Sequence, residues 1–278
     1  MAGPTVRRVQ LGMELRRLRE AANKSRPEVA AAIKTSKSRL AAIELGRNVV
    51  TYAELILLVR DHYNGTDEQL AVLEEMREEA SKRGWWSTYG LTERQAGYVG
   101  LEDDASAVRT AEVGNVPGLL QTEAYIRRLC AVDVRLSATE IDKRVAVRLQ
   151  RQARLTGPNP LLLTAVIDEA ALLRCARDPV VTDQLAHLVE VAQRPNVELH
   201  VLPFDLGLHV GQAGMFSVLS FPDGLLPDAG YQEYVVGGHV IDDEAIVQEL
   251  TTLFGELRRQ ALGPTESMAK IAQLAKHP

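Results

Sequence analysis

Lys37, Ser38 and Arg39 are three hydrogen-bond donors in consecutive positions, directly behind Ser36, whose hydroxyl can cap a helix. An ammonium, a hydroxyl and a guanidinium at the start of a helix suit phosphate oxygens and the acceptor edges of bases. Ala42, little more than a turn further on, is small enough to let that helix approach another surface closely. Arg26 opens the preceding helical stretch, and Lys34 sits in the turn between the two. Arg47 and Asn48 follow Gly46, which ends the helix in "TSKSRLAAIELGRN". Together these residues form a candidate polyanion-binding set.

Other chemistries find less support. His187, His200, His209 and His239 are scattered, with no metal-ligand spacing. Cys130 and Cys175 lie in leucine-rich surroundings and read as reduced core thiols. Asp168 and Glu169, with Asp205 and Glu233, could line a cleft. Carboxylates at a strand end also cap helices, however, and this pair directly precedes one. No phosphate-binding loop, dinucleotide fingerprint or nucleophile elbow is present. Neither catalysis, a metal nor a cofactor is therefore expected. The longest apolar runs, such as Leu161–Ile167, fall far short of the ~20 residues of a membrane span. The N-terminus shows no apolar leader core, so a cytoplasmic protein that avoids membranes is expected.

Charge is unevenly distributed. The chain carries −5 overall, but residues 1–64 hold 12 Lys and Arg against 6 Asp and Glu. That leaves +6 on the head and −11 on the remainder, the asymmetry expected when only the head meets a polyanion.

The elements that would position the donors follow from periodicity and caps. Residues 1–64 parse into five short helices. Leu11, Leu15, Leu18 and Ala22 form the apolar stripe of the first, and Asn23 follows as its left-handed terminus. Ser25 caps the second, which has Pro27 in its first turn and buries Val29 and Ile33. Ser36 caps the third, with Leu40 and Ile43 inward. Thr51 and Glu54 form a capping box for the fourth. Two helices joined by a three-residue turn match a helix-turn-helix.

A second segment, 65–156, reads as mainly helical. Thr66 with Gln69 and Ser137 with Glu140 box two helix starts, and Thr122 caps another. Of the adjacent Trp85 and Trp86, at least one should be partly exposed. Arg144, Arg148, Arg151 and Arg154 step by 4, 3 and 3 along one helical face. They form either a solvated stripe paired with neighbouring acids or a docking surface for an acidic partner. After the break "TGPNP" the period changes. "LLLTAVID", "NVELHVLPF", "GMFSVLSF" and "GYQEYVVG" read as strands, the first two as parallel neighbours across a helical crossover. Residues 242–261 form an amphipathic helix with Ile246, Leu250, Leu253 and Leu257 on its stripe. The fold class expected is α+β. A helix-turn-helix domain (1–64) leads to a helical middle segment (65–156), which packs with a mixed α/β domain (157–278).

The run "LGMELRRLREAANKSRPEVAAAIKTSKSRLAAIELGR" resembles the DNA-binding domain of Xre-type, phage-repressor-like regulators. Glu44 and Gly46 match that family's recognition-helix ending. The resemblance implies that Arg19 pairs with Glu44 in a structural role. Lys34 departs from the pattern, where the turn often has glycine, and adds a donor near the backbone. Further landmarks, including "RGWWSTYG", "VPGLLQTEAY", "VIDEAALLR" and "LHVLPFDLGLH", resemble the actinobacterial Xre regulators with a conserved C-terminal domain of unassigned chemistry, WhiJ-like regulators among them. That likeness implies a small acidic partner protein in a toxin–antitoxin-like pair. The expected function is a homodimeric, sequence-specific regulator of transcription on double-stranded DNA. The alternatives are an antitoxin-like interaction module whose DNA binding is incidental, and a small-molecule-sensing regulator.

Overall fold

Hydroxyl side chains set many of the helix starts among the described residues. Ser25, Ser36, Thr51, Thr66, Thr122 and Ser137 each accept a hydrogen bond from the backbone N–H three residues on. All six are legible in the sequence, because a β-branched or small hydroxyl residue before a helical stripe satisfies an otherwise orphaned donor. The computed structural model describes residues 4–181, 183–222, 226–234 and 237–276. One compact unit covers Met1–Asp104 and Asp223–Leu226; the other covers Ala105–Pro222 and Pro227–Pro278.

The first unit is helical: α1 (Pro4–Ala21), α2 (Arg26–Ala32), α3 (Lys37–Glu44), α4 (Tyr52–Ile56), α5 (Asp67–Ser81) and α6 (Glu93–Asp104). Among the described residues up to 64 there are thus four α-helices rather than five, the fourth running on as a π-helical turn, Leu57–His62. Leu11, Leu15 and Leu18 of α1 are buried with Val29, Leu40, Ile43, Leu55 and Leu58, as the stripes require. Leu70 and Leu73 of α5 belong to the same core, with Met76 packed against it. The boundary expected at residue 64 is therefore displaced. α5 buries its apolar face on the preceding helices, and the unit closes only after α6. Trp86 is buried and Trp85 half-buried, its indole N–H donating to Asp103 at 3.2 Å.

Asn23 has a positive φ of 55°, as expected of a left-handed helix terminus. Gly46 (φ 66°) is obligatory for two reasons. Its backbone is left-handed, and a Cβ there would lie 2.6 Å from the Cα of Val9. Gly12 matters similarly, since a Cβ would meet the carbonyl oxygen of Ile43 at 2.5 Å. α1 thus crosses the end of α3 at backbone contact distance.

The second unit is built on a six-stranded mixed sheet. Its strands are β1 (Ala107–Glu112), β2 (Leu162–Asp168), β3 (Val197–Leu202), β4 (Phe216–Ser220), β5 (Ala229–Tyr234) and β6 (Gly237–Ile241), in the order β3-β2-β1-β4-β5-β6. β1, β2 and β3 are parallel, in register Ala107 to Leu162 and Leu163 to Val197. β4, β5 and β6 add antiparallel. The crossover from β2 to β3 carries α9 (Glu169–Arg177) and α10 (Asp183–Val191). α7 (Glu123–Ala131) and α8 (Ala138–Gln152) separate β1 from β2, and α11 (Glu244–Gln260) and α12 (Pro264–Lys276) close the unit.

The middle segment therefore does not stand as a helical block. Its first part belongs to the first unit, and its second part supplies the central strand β1. "AVRTAE" escapes a sequence reading because Ala, Arg and Glu favour helices and only Val108 and Thr110 are β-branched. Ile246 is 45% exposed, while Val247, Phe254 and Leu257 are buried. α11 therefore turns a slightly different stripe inward than expected. The free thiols Cys130 and Cys175 are buried, and burial pushes the Cys175 thiol up to about 12.

Glu112 ends β1 at 8% exposure, with Oε2 unpartnered among the described residues. Burial, reinforced by Glu233 and opposed by Arg151, pushes its carboxyl from 4.5 up to about 8. The folded chain then holds a proton that the unfolded chain releases above pH 4.5. This contribution to stability is full below that pH and is lost as pH rises toward 8. Glu112→Gln removes the dependence. Between pH 5 and 8 the wild type should lose up to about 1.4 kcal/mol per pH unit relative to this variant in urea unfolding. Parallel pH profiles would refute a buried, protonated Glu112.

Candidate nucleic-acid interface

α2 and α3 are joined by the turn Ile33–Ser36. Lys34 in that turn adopts φ 55°, a left-handed conformation usually left to glycine, and its side chain is exposed. The N–H of Thr35 donates to the carbonyl of Ala30 at 2.8 Å, closing the end of α2. Ser36 then caps α3 by accepting from the Arg39 N–H at 3.0 Å. Past Glu44, the N–H groups of Arg47 and Asn48 both donate to the carbonyl of Ala42. The result is an eight-residue helix, about 12 Å long, with closed ends.

Glu44 fixes its orientation. The carboxylate is wholly buried and accepts from Arg19 Nε at 2.6 Å and Nη2 at 3.1 Å, and from Arg26 Nε at 2.7 Å. Arg19 donates further to the carbonyl of Lys24 at 2.8 Å. The hydrogen bond with Glu44 raises the Arg19 guanidinium above its usual range. Burial, with the Glu44 charge, raises the nearby Tyr63 hydroxyl as well. The Arg19–Glu44 pair implied by the resemblance is therefore present, and it ties α1, α2 and α3 together.

The candidate donors separate into two groups. Lys34, Ser36, Lys37, Ser38 and Arg47 are exposed, and Ala42 and Asn48 are half-buried beside them. Arg26 and Arg39 are instead engaged within the protein. Arg26 shares Glu44, as described above. Arg39 reaches Glu54 of α4 in a two-pronged pair at 2.9–3.1 Å. Burial raises the Glu54 carboxyl, but bonds from Thr51 and Arg39 outweigh this and leave it below the usual range. Sequence reasoning finds Glu54 as a capping residue and misses its second role. That role depends on α3 and α4 meeting across 15 residues of chain, which no local pattern records.

The arginine series of the second unit does not form one open stripe. α8 ends at Gln152, so Arg154 leaves its face and donates to the carbonyls of Ala105 (2.9 Å) and Asn159 (3.3 Å). Arg148 turns toward the Sγ of Cys130 at 3.4 Å, where burial lowers its guanidinium pKa. Arg151 lies near Gly118 and acts on Glu112. Arg144 remains half-buried on α8. The strand-end carboxylates do not gather either. Asp168 caps α9 through the Ala170 N–H at 2.7 Å, whereas Glu233 acts on Glu112 and Arg148. Among the described residues no cluster of three His, Cys, Asp or Glu is placed to hold a metal. No described helix is long and apolar enough to cross a membrane.

Residues 10–73 match a helix-turn-helix domain. Residues 95–273, well over half of the chain, match the family described as a domain of unknown function, DUF5753. The chain belongs to the DUF5753 family. The helix-turn-helix match runs from within α1 to the middle of α5, in keeping with their shared core, and it marks the first unit as a DNA-binding fold. The DUF5753 match takes in the whole sheet of the second unit. No curated protein and no solved structure matches the chain.

Arg19→Met leaves a fully buried carboxylate with Arg26 alone. This should cost about 3 kcal/mol in urea unfolding. The double variant Arg19→Met/Glu44→Met replaces the pair with apolar volume and should recover most of that loss. A single variant as stable as wild type would show that the pair is not holding α3.

Proposed function

We propose that this DUF5753 protein is a sequence-specific, homodimeric regulator that reads duplex DNA with the first turn of α3. The observation that carries the reading is the separation of its cations. Lys34, Lys37 and Arg47 are exposed around α3, while Arg19 and Arg26 are held on Glu44 to keep that helix in place. Cations left in solvent around a short, rigid helix are suited to phosphate contacts, and Ser38 with Ala42 provides a small surface for close approach to base edges. As a two-fold dimer it would bind half-sites about 34 Å apart, or a multiple of that. The second unit would supply dimerisation and regulation. The resemblance to WhiJ-like regulators favours a small acidic protein as the regulating partner.

Arg39 joins the set by exchange. Its pair with Glu54 is partly exposed, 38% and 21% for the two side chains, so it contributes only about 0–1 kcal/mol. A DNA phosphate can therefore displace Glu54 at little cost. Glu54→Gln keeps the capping box and frees the guanidinium.

Fluorescence anisotropy against the chain's own upstream DNA and a scrambled duplex, over a salt series, tests the reading. Lys37→Ala should weaken binding and reduce the log–log salt slope by about 0.9 for the lost phosphate contact. Glu54→Gln should bind several-fold tighter than wild type. Equal affinity for both duplexes would favour the interaction-module alternative instead.

A further inference from the structure

The carboxyl ends of the parallel strands β2 and β3 open into a cleft of about 240 Å³, lined among others by Asp168, Arg174, Phe204, His209 and Gln212. Open α/β sheets bind ligands at this end of their parallel strands. Four observations suggest that the cleft is built to hold something. Arg174, one turn along α9 from Ala170, is exposed and makes no ion pair or hydrogen bond among the described residues. Phe204 is 55% exposed, yet its backbone is anchored. Its N–H donates to Glu169 at 3.0 Å, and Glu169 is itself paired with Lys270 at 2.7 Å. Its ring thus offers an exposed apolar surface at the edge of the cleft.

The floor of the cleft is also ordered. His209 is 3% exposed at its side chain and meets Asp168 through Nε2 at 3.0 Å, while Oδ1 of Asp168 is taken by the cap of α9. Both oxygens of Asp168 are thereby taken by hydrogen bonds, and Arg174 makes no ion pair among the described residues. Nδ1 of His209 has no partner among the described residues. A Cβ on Gly211 would crowd it at 3.0 Å and Leu257 at 3.3 Å, so only glycine fits there. Gly207, at φ 73° and ψ −136°, makes the turn that brings Phe204 and His209 to the same cleft.

We propose that this cleft binds a small, flat, apolar carboxylic acid. The carboxylate pairs with the Arg174 guanidinium, and the apolar body lies against Phe204. At about 240 Å³ the cleft is below the range of drug-sized sites, so a one- or two-ring acid fills it. The inference goes beyond the DNA-binding reading and does not depend on it.

Isothermal titration of the full chain with naphthalene-2-carboxylate, and with naphthalene-2-carboxamide as its neutral counterpart, tests it without any DNA. The acid should bind at least tenfold more tightly than the amide. Arg174→Gln should bring the acid down to the level of the amide, and Phe204→Ala should weaken both. Arg177→Gln, on the same helix but outside the cleft lining, should change neither. Thermal melts establish that each variant is folded. No heat from the acid, equal binding of acid and amide, or an unchanged affinity in Arg174→Gln would each overturn the proposal. None of these results would bear on whether the first unit binds DNA.

Discussion

A carboxylate with no access to water must have its lone pairs filled by donors, and in the first unit that requirement falls on Glu44. Arg19 from α1 and Arg26 from α2 meet it from two sides. Three helices are thereby referred to a single point, and the orientation of α3 follows from it. The apolar core beneath, from Leu11 to Leu73, would tolerate some sliding of helix on helix, because hydrophobic contact is not directional. A buried, charge-assisted fork does not slide. Gly12 and Gly46 complete the constraint by admitting backbones where a side chain would keep them apart.

This division of labour explains which parts of the interface were legible in sequence. The caps at Ser25 and Ser36, the stripe of Leu40 and Ile43, and the glycine terminus are local, so spacing alone reveals them. The fate of each arginine is not local. Arg26, Arg39 and Lys37 look equivalent as donors, yet two are held by carboxylates 18 and 15 residues away and the third is exposed. Only the packing of α2, α3 and α4 distinguishes them. Lys34 gives the opposite lesson. The turn imposes a left-handed backbone on whatever residue occupies it, and a lysine is accommodated where glycine would have been the easier choice.

The second unit is less legible in the sequence, and for a related reason. β2 through β5 carry enough Val, Ile, Phe and Tyr to be recognised. β1 does not, although it is the strand on which the sheet changes from parallel to antiparallel. Its conformation is set by neighbours on both edges, which tertiary context can impose over weak local preference. The arginine series is broken up by the fold in a similar way. A regular step of 4, 3 and 3 describes a face only while the helix lasts, and α8 ends before Arg154. The cleft beside His209 left no sequence pattern at all, since its walls come from the ends of two strands, a helix and a loop.

The position of β1 has a consequence for how the chain is made. Ala107 pairs with Leu162 on one side and with Ser220 on the other, partners about 55 and about 113 residues later. During synthesis the strand therefore emerges long before either neighbour exists. The helices of the first unit, α1 to α6, have all been synthesised by Asp104 and can fold while the rest is still being translated. The sheet must wait for nearly the whole chain, and high contact order makes its closure the slow step. Any truncation before β4 leaves one edge of β1 unpaired, the kind of exposed backbone template that invites aggregation.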